Sequence, residues 1–526
     1  GKLFILQARP MTALPEVVTW KSPSRGGWMR NFRLGEWLPE PVTPLCETWL
    51  LARIEAGEVT AEEHDFGLRP RQPYHVLANG WYFSSPIGGG LPLRGVMTAL
   101  TRHPRQIAAL ALSTSRPDFA ERPFIAPVAR RWRAELLPQY QRLVASCEAR
   151  LDTATPADLI QAIDAVASMA GKYLWDFSVV GGHAWKAEHA LALFCRKHVS
   201  GRVAQGHQAL LMGLAVESPA TNPEASAHAV QSLDWVRPTM GEIAPSPRML
   251  TASDLAARRA RMADDRRAAE IACRKTLAGQ RRLLRRFNAI LALAQRYAIL
   301  REQQAYWFTL GWPFMRRAVL RLGEQLRQRG TIARAEDVFY LTHAELVGRL
   351  ALDAGASGDR AEAEDMRAVV AARRREWERQ RRLSPPLVLG NPVGARVIAR
   401  ATDAMRVAAA DSAYAEAGER HILKGMPASP GRATGFVRII RGPEDFDRFQ
   451  QGEVLVAQVT APAWTPLFGI AAAVVTDGGS LAAHASLVAR EYGIAAVVGT
   501  GDATARLRDG QRVTVDGNAG IVTVDP

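Results

Sequence analysis

The sequence predicts a multi-domain α+β chain, with a mostly α-helical middle region followed by a C-terminal domain in which strands and helices alternate. Three observations carry this. Apolar residues recur at helical spacing in the middle, as in Leu159, Ile160, Ile163, Val166 and Met169, and again in Leu283, Leu284, Phe287, Ile290, Leu291, Ala294, Tyr297 and Ala298. Near the C-terminus, short apolar runs lead through glycine turns into helix-like stretches. At 526 residues the chain is also long enough for about three domains with sizeable cores.

Taken in order, Phe4 to Thr12 is a strand-like apolar run that meets a proline, Pro10, near its end. A first unit is assigned to 1–19, a helical region to 20–415 and a C-terminal domain to 416–526. Proline-rich breaks at Ser218 to Pro223, Arg237 to Pro247 and Ser384 to Val393 divide the middle, and Ala401 to Arg420 reads as helix and linker. Within the last unit, Ala472 to Val475 reads as a buried strand and Asp477 to Ser480 as a turn. Ala483 to Tyr492 reads as a helix with Leu487 and Val488 toward a core, stopped by Gly493.

That pattern places His484 at the start of a helix. A side chain there sits among backbone N–H groups without intrahelical partners and beside the positive end of the helix dipole. A phosphoryl group carried on the imidazole would be stabilised, and the free imidazole would stay neutral and nucleophilic. Gly478 and Gly479 would let the backbone approach the phosphate. On geometry alone, a solvent-facing or capping histidine is an equal alternative.

The stretch 474–499 resembles the phosphohistidine domain of the phosphoenolpyruvate-utilising enzymes, the family of phosphoenolpyruvate synthase, pyruvate phosphate dikinase and rifampicin phosphotransferase. Thr476 lies eight residues before His484, as in the family pattern, and Ala489, Arg490, Glu491, Gly493, Ile494, Val497, Val498 and Gly499 match it. Lys424 to Gly435 looks like the opening of that domain, and Leu507 to Gly520 like its exit. Ser480, Ala483 and Ala495 depart from the pattern, where the family has glycine, a hydroxyl or thiol residue, and proline. The resemblance implies a swivelling β/β/α fold, His484 as the catalytic phosphate carrier, and Thr476, Gly478, Gly479, Ser480 and Arg490 as phosphate contacts.

Phe4 to Thr12 resembles the closing strand of the ATP-grasp domain of the same family, where Gln7 and Arg9 would reach the nucleotide phosphates or their metal. The implied cofactor is Mg-ATP, bound mainly by an ATP-grasp domain that is another part of a longer protein or a separate subunit. Gly35 to Leu45 resembles the opening of the helical acceptor domain in the rifampicin phosphotransferase branch. Arg301 with Glu302, Leu322 with Gly323, and Glu336 to Thr342 resemble the signature near its end. Arg301 either orients a phosphoryl group arriving on His484 as a bidentate donor or makes a structural ion pair. Related enzymes often have a basic residue four positions later, where this chain has Ala305.

The net charge of +15 raises a nucleic-acid hypothesis. Its arginine-rich segments, Arg258 to Arg286 and Arg373 to Arg382, also hold Asp264, Asp265, Glu270, Glu376 and Glu378, as solvated helix faces do. With no zinc finger, RNA-recognition motif or P-loop, no nucleic-acid partner is expected. No apolar run reaches the roughly 18 residues needed to span a bilayer, and no membrane or leader segment is read, so a cytoplasmic protein is expected. The four cysteines form no C-x-x-C pair. His183, His189, Cys195 and His198 lack metal-site spacing, and Gly88 to Gly90 lacks the Lys and Ser or Thr of a P-loop; no metal site is expected. Trp81, Tyr82, Phe83, Trp175, Phe177, Trp185, Tyr306, Trp307 and Phe308 line an apolar pocket or fill the core.

The resemblance as a whole implies a phosphotransferase that carries phosphate from ATP, leaving AMP and phosphate, on His484 to a small-molecule hydroxyl acceptor. The order of nucleotide-domain remnant, helical middle and phosphohistidine domain is that of the rifampicin phosphotransferase-like branch. The alternatives are a phosphocarrier subunit without its own ATP site, and a ligase-like relative that activates an acceptor for condensation.

Overall fold

The computed structural model describes residues 18–525 apart from 25–26, 31–32, 68, 70–72, 86–100, 107, 109–112, 114–115, 200–205, 215–226, 244–251, 352–359, 384, 387, 391–420, 461–463 and 480–482. The expectations placed on Gln7, Arg9, Ser480, Gly88 to Gly90 and the linker 401–420 therefore lie outside the described residues.

The helical region is organised by six long helices: α1 (Ala52–Phe66), α2 (Pro156–His198), α3 (Ala252–Thr276), α4 (Arg281–Phe308), α5 (Trp312–Gln328) and α6 (Arg360–Gln380). The 43-residue α2 is the spine. It opens on a capping box in which Thr155 and Asp158 satisfy each other's backbone N–H groups, with Pro156 in the first turn. Both periodic stretches fall where the sequence put them, on α2 and α4, and their apolar faces meet in one core that includes Ile163, Val166, Tyr173, Phe287, Leu291 and Tyr297. The two helices run antiparallel. Tyr297 meets His183 with ring centroids 4.5 Å apart, and Phe308 meets Tyr173 at 5.9 Å. Arg301 falls between these levels, against Gly181, where a Cβ would stand 3.7 Å from its Nε.

The middle region is not helical throughout. Strands β1 (Gly27–Met29), β2 (His75–Ala78), β3 (Trp81–Ser84) and β4 (Val388–Gly390) form an antiparallel sheet in the order β2-β3-β1-β4. It covers its own small core of Trp28, Ala78, Trp81, Phe83 and Leu389. Strands of three or four residues are too short to display alternation, and β4 joins from the far end of the region. Ala335–Tyr340 forms a tight helical turn that buries Val338, Phe339 and Tyr340, with Leu341 buried just after it.

Among the described residues the C-terminal domain has eight strands: β5 (Ile422–Lys424), β6 (Met426–Ser429), β7 (Arg432–Ile439), β8 (Val454–Ala457), β9 (Ala473–Thr476), β10 (Ala495–Val498), β11 (Arg512–Asp516) and β12 (Ile521–Val524). Their order is β5-β12-β11-β7-β8-β9-β10-β6, with β7, β8, β9 and β10 parallel. Strand β7 joins two halves: Arg432 to Phe436 pair with β11, and Val437 to Ile439 pair with β8. Strands buried on both faces read as continuous apolar runs, which is why Ala473 to Val475 carries no alternation. On one face Val454, Val456, Ala473, Val475 and Val497 pack toward Val513, Val515 and Val522. On the other, Leu455, Val474, Ala496 and Val498 pack against α7 (Thr465–Ile470) and α8 (His484–Tyr492). The result is sheet, sheet and helices in layers.

The arginine-rich helices carry their own counter-charges. Glu270 accepts Arg274 at 3.0 Å, Glu376 accepts Arg379 at 2.8 Å, and Arg373 pairs with Glu345 at 2.7 Å. All four cysteines are free and buried. Among the described residues no helix is long and apolar enough to cross a membrane.

Candidate active site

His484 is the first residue of α8, at the end of the turn that follows β9. The preceding Ala483 is extended and provides no side-chain cap, so the helix start has no internal side chain competing for its N–H groups. At the other end, Gly493 takes a left-handed conformation with φ 63° and closes the helix as the sequence predicts. The imidazole is partly buried. Thr465 Oγ1 lies 3.5 Å from its Nε2, and Phe468 meets the ring edge-on at 6.1 Å. Both neighbours come from α7, whose Thr465-Pro466 start is a helix-opening signal that sequence reading passed over.

The second half of the site comes from the helical region. Arg301 of α4 lies within electrostatic reach of His484, and burial first, with this cation adding to it, draws the imidazole pKa down to about 3. His484 is therefore a neutral imidazole across the physiological range. Arg301 also makes the structural ion pair, with Nη1 3.5 Å from Glu302 Oε1, but that nitrogen has no hydrogen-bond partner among the described residues. Burial raises the carboxyls of Glu302 and Glu36, and Arg301 pulls both back down. A half-buried guanidinium with a buried open donor, set beside a neutral imidazole, has the chemistry to attract an anionic group. Glu36 was not singled out in the sequence; no local pattern could bring it to Arg301.

The remaining residues expected at a phosphate are Thr476, Gly478, Gly479 and Arg490. Thr476 is fully buried at the end of β9, and its hydroxyl donates to Gly478 O at 2.6 Å. The Gly478 N–H donates to Gln458 O at 2.8 Å. Thr476 and Gly478 thus shape the turn from within. Gly479, with φ 111°, takes a conformation that a side chain would strain, and its missing Cβ leaves room beside Ala483. Arg490 lies away from His484, two turns along α8. Its Nε donates to Ala428 O at 2.7 Å, and its Nη2 stands 2.9 Å from Glu188 Oε1 of α2 in an ion pair without hydrogen-bond geometry, so its guanidinium sits at the junction of the two regions.

Of the middle-region histidines singled out in the sequence, His183 is buried, and His189 and His198 are partly exposed. His183 is buried against Tyr297 with its pKa pushed down to about 4 by burial, and His189 stacks on Trp185. Among the described residues no group of three or more His, Cys, Asp or Glu side chains is placed to hold a metal ion. Of the aromatics weighed for a pocket, Trp81, Tyr82, Phe83, Trp175 and Phe308 are buried in cores, whereas Phe177, Trp185, Tyr306 and Trp307 are partly exposed. A cavity of about 410 Å³ lies at the opposite end of α8, lined by Arg258, Arg261, Met262 and Gly493 among others, away from His484.

Comparison with known proteins agrees with this geometry. Residues 449–520 match the family model described as PEP-utilising enzyme, mobile domain. The chain is 37% identical over 242 residues to chondramide synthase from Chondromyces crocatus, covering 45% of this chain and 6% of that protein. It is 51% identical over 102 residues to phosphoenolpyruvate synthase from Aeropyrum pernix, 19% of this chain and 12% of that one. It is 34% identical over 227 residues to rifampicin phosphotransferase from Streptomyces sviceus, 43% of this chain and 23% of that one. The matched segments thus span less than a quarter of each relative. The region 449–520, which contains His484, is thus similar to the mobile domain of the PEP-utilising enzymes.

Proposed function

We propose that this chain is the acceptor and carrier portion of a phosphotransferase of the phosphoenolpyruvate synthase and rifampicin phosphotransferase type. One observation carries the reading: His484, held neutral at an uncapped helix start, faces an Arg301 guanidinium with an open donor. In the first half-reaction a His484 ring nitrogen attacks the β-phosphorus of ATP, forming the P–N bond as the α–β P–O bond breaks and AMP leaves; water then cleaves the terminal P–O bond, releasing phosphate and leaving one phosphoryl group on His484. In the second, a hydroxyl oxygen of a small-molecule acceptor attacks that phosphorus, the P–N bond breaks, and the hydroxyl proton is lost. Dividing one hard displacement into two easier ones is the benefit of the covalent carrier. Arg301 would hold the equatorial oxygens during the second step, when charge is spread over them. The mobile domain would swivel between the two sites on the 401–425 linker.

Magnesium, when bound with ATP, neutralises the phosphate charge in the first half-reaction. The described residues offer no acidic cluster for it. We assign that step to an ATP-grasp domain, to which Gln7 and Arg9 would be this chain's contribution, as the family resemblance implies.

The test is intact-mass analysis after incubation with Mg-ATP, alone and with an added ATP-grasp domain. An acid-labile phosphate on His484 is expected with the added domain, lost entirely in His484→Ala. Labelling that persists in His484→Ala, or no labelling under either condition, overturns the reading.

A further inference from the structure

We propose that Glu188 is a positioning residue: by pairing with Arg490 it seats the mobile domain on the helical region in the one register that brings His484 to Arg301. The proposal deepens the phosphotransfer reading and takes its catalytic meaning from it.

The geometry is a two-point match between helices. At one point His484, first in α8, faces Arg301, which lies against Gly181 of α2. At the other, Arg490 of α8 pairs with Glu188 of α2 at 2.9 Å. The spacings agree: six residues along α8 is about 9 Å and seven along α2 about 10.5 Å, at 1.5 Å per residue. Between the points, Trp185 of α2 packs against the mobile-domain core. Two outlying contacts fix the rotation. The Gln208 side chain donates to Pro427 O, and the Leu214 N–H donates to Glu491 Oε1 at 3.0 Å.

The choice of an ion pair fits a joint that opens. Arg490 and Glu188 are 1% and 6% exposed, so both charges are desolvated in the docked state. For such pairs the Coulombic gain is largely offset by lost hydration, so the pair contributes orientation more than adhesion. His207 Nε2 lies 3.9 Å from Glu188, but burial holds that imidazole down to about 4, so at neutral pH the cation facing Glu188 is Arg490. An apolar joint of the same area would hold the domain without selecting one register.

The experiment uses the full chain and needs no acceptor. In Glu188→Gln the register is lost, and His484 leaves both its burial and Arg301. NMR titration with labelled histidine should show its pKa rising from about 3 toward the ordinary histidine range. Chemical phosphorylation with phosphoramidate should label His484 about tenfold faster once it is released. Arg490→Gln should do the same from the other side, and the double variant should exceed neither single one, as expected for two groups in one interaction. Circular dichroism and thermal unfolding report whether the chain still folds. If Glu188→Gln does not fold, Glu188→Asp, which keeps the charge but withdraws it by one methylene, makes the same test. A folded variant whose His484 titrates and labels as in the unaltered chain overturns the proposal. Loss of ATP-dependent labelling in the unaltered chain, with the titration shift intact, would instead count against the phosphotransfer reading alone.

Discussion

The mobile domain and the helical region hold their half of the site in opposite ways. His484 is positioned by its immediate neighbours in sequence: strand β9, a turn closed by Thr476 and Gly478, and a nine-residue helix ended by Gly493. Arg301 is positioned by residues remote from it, with Gly181 on α2, Glu36 ahead of α1, and a core of aromatic contacts that joins α2 to α4. A local device survives when its surroundings move, as a mobile domain requires. A tertiary device is only as good as the packing beneath it. The contrast can be tested by damaging one region and reading the other.

The largest effect is expected at Phe308. Its ring is fully buried and touches Trp37 at 5.7 Å, Tyr173 at 5.9 Å and Trp312 at 5.3 Å. Phe308→Ala leaves a cavity at this crossing and should cost about 3–5 kcal/mol in chemical denaturation. The loss should fall on the unfolding of the helical region, followed by tryptophan fluorescence. A transition of the mobile domain that moves by the same amount would show that the two regions share one cooperative unit.

Next in size is Arg301→Gln, which keeps shape and removes charge. Loss of one guanidinium at a transferring phosphoryl group should slow transfer from His484 by roughly a hundredfold. It should also raise the His484 pKa only part of the way from about 3, because burial is the larger cause. The sign for stability follows. As pH falls through the ordinary histidine range the unfolded chain takes up a proton at this position, while the folded chain does so only near 3, so stability declines across that window. Arg301→Gln should narrow the window and lessen the decline. An unchanged acid-unfolding profile would mean that Arg301 does not reach His484.

The same contrast explains what was legible in the sequence. Strand β9, the turn, the start and stop of α8 and the helical periodicity of α2 and α4 all rest on short-range rules, and they appear at the expected residues. The small sheet β1 to β4 was not foreseen, since three-residue strands show no period and β1 pairs with β4 across the whole region. Arg490 matches a motif, and its contacts with Ala428 O and Glu188 come from distant parts of the chain that a local motif does not describe. Thr465 and Glu36 reach the site through tertiary contact alone.

Gly493 offers the finest separation of local from tertiary, because two independent effects meet at its Cα. Its φ of 63° is left-handed, so Gly493→Ala adds strain inside the mobile domain whether or not that domain is docked. An added Cβ would also run into the side chain of Met262 on α3, which matters only when the domain is docked. The strain should lower stability by about 1 kcal/mol, while the collision, against a flexible thioether, should be smaller and relieved by Met262→Ala. Comparing Gly493→Ala in the two backgrounds by thermal unfolding and His484 titration divides the effects. If Met262→Ala restores the His484 titration but not the stability, the helix cap belongs to the mobile domain and the contact to the docked state. If it restores both, the cap itself depends on docking, and the division between a locally built carrier and a tertiarily built receiver fails at this joint.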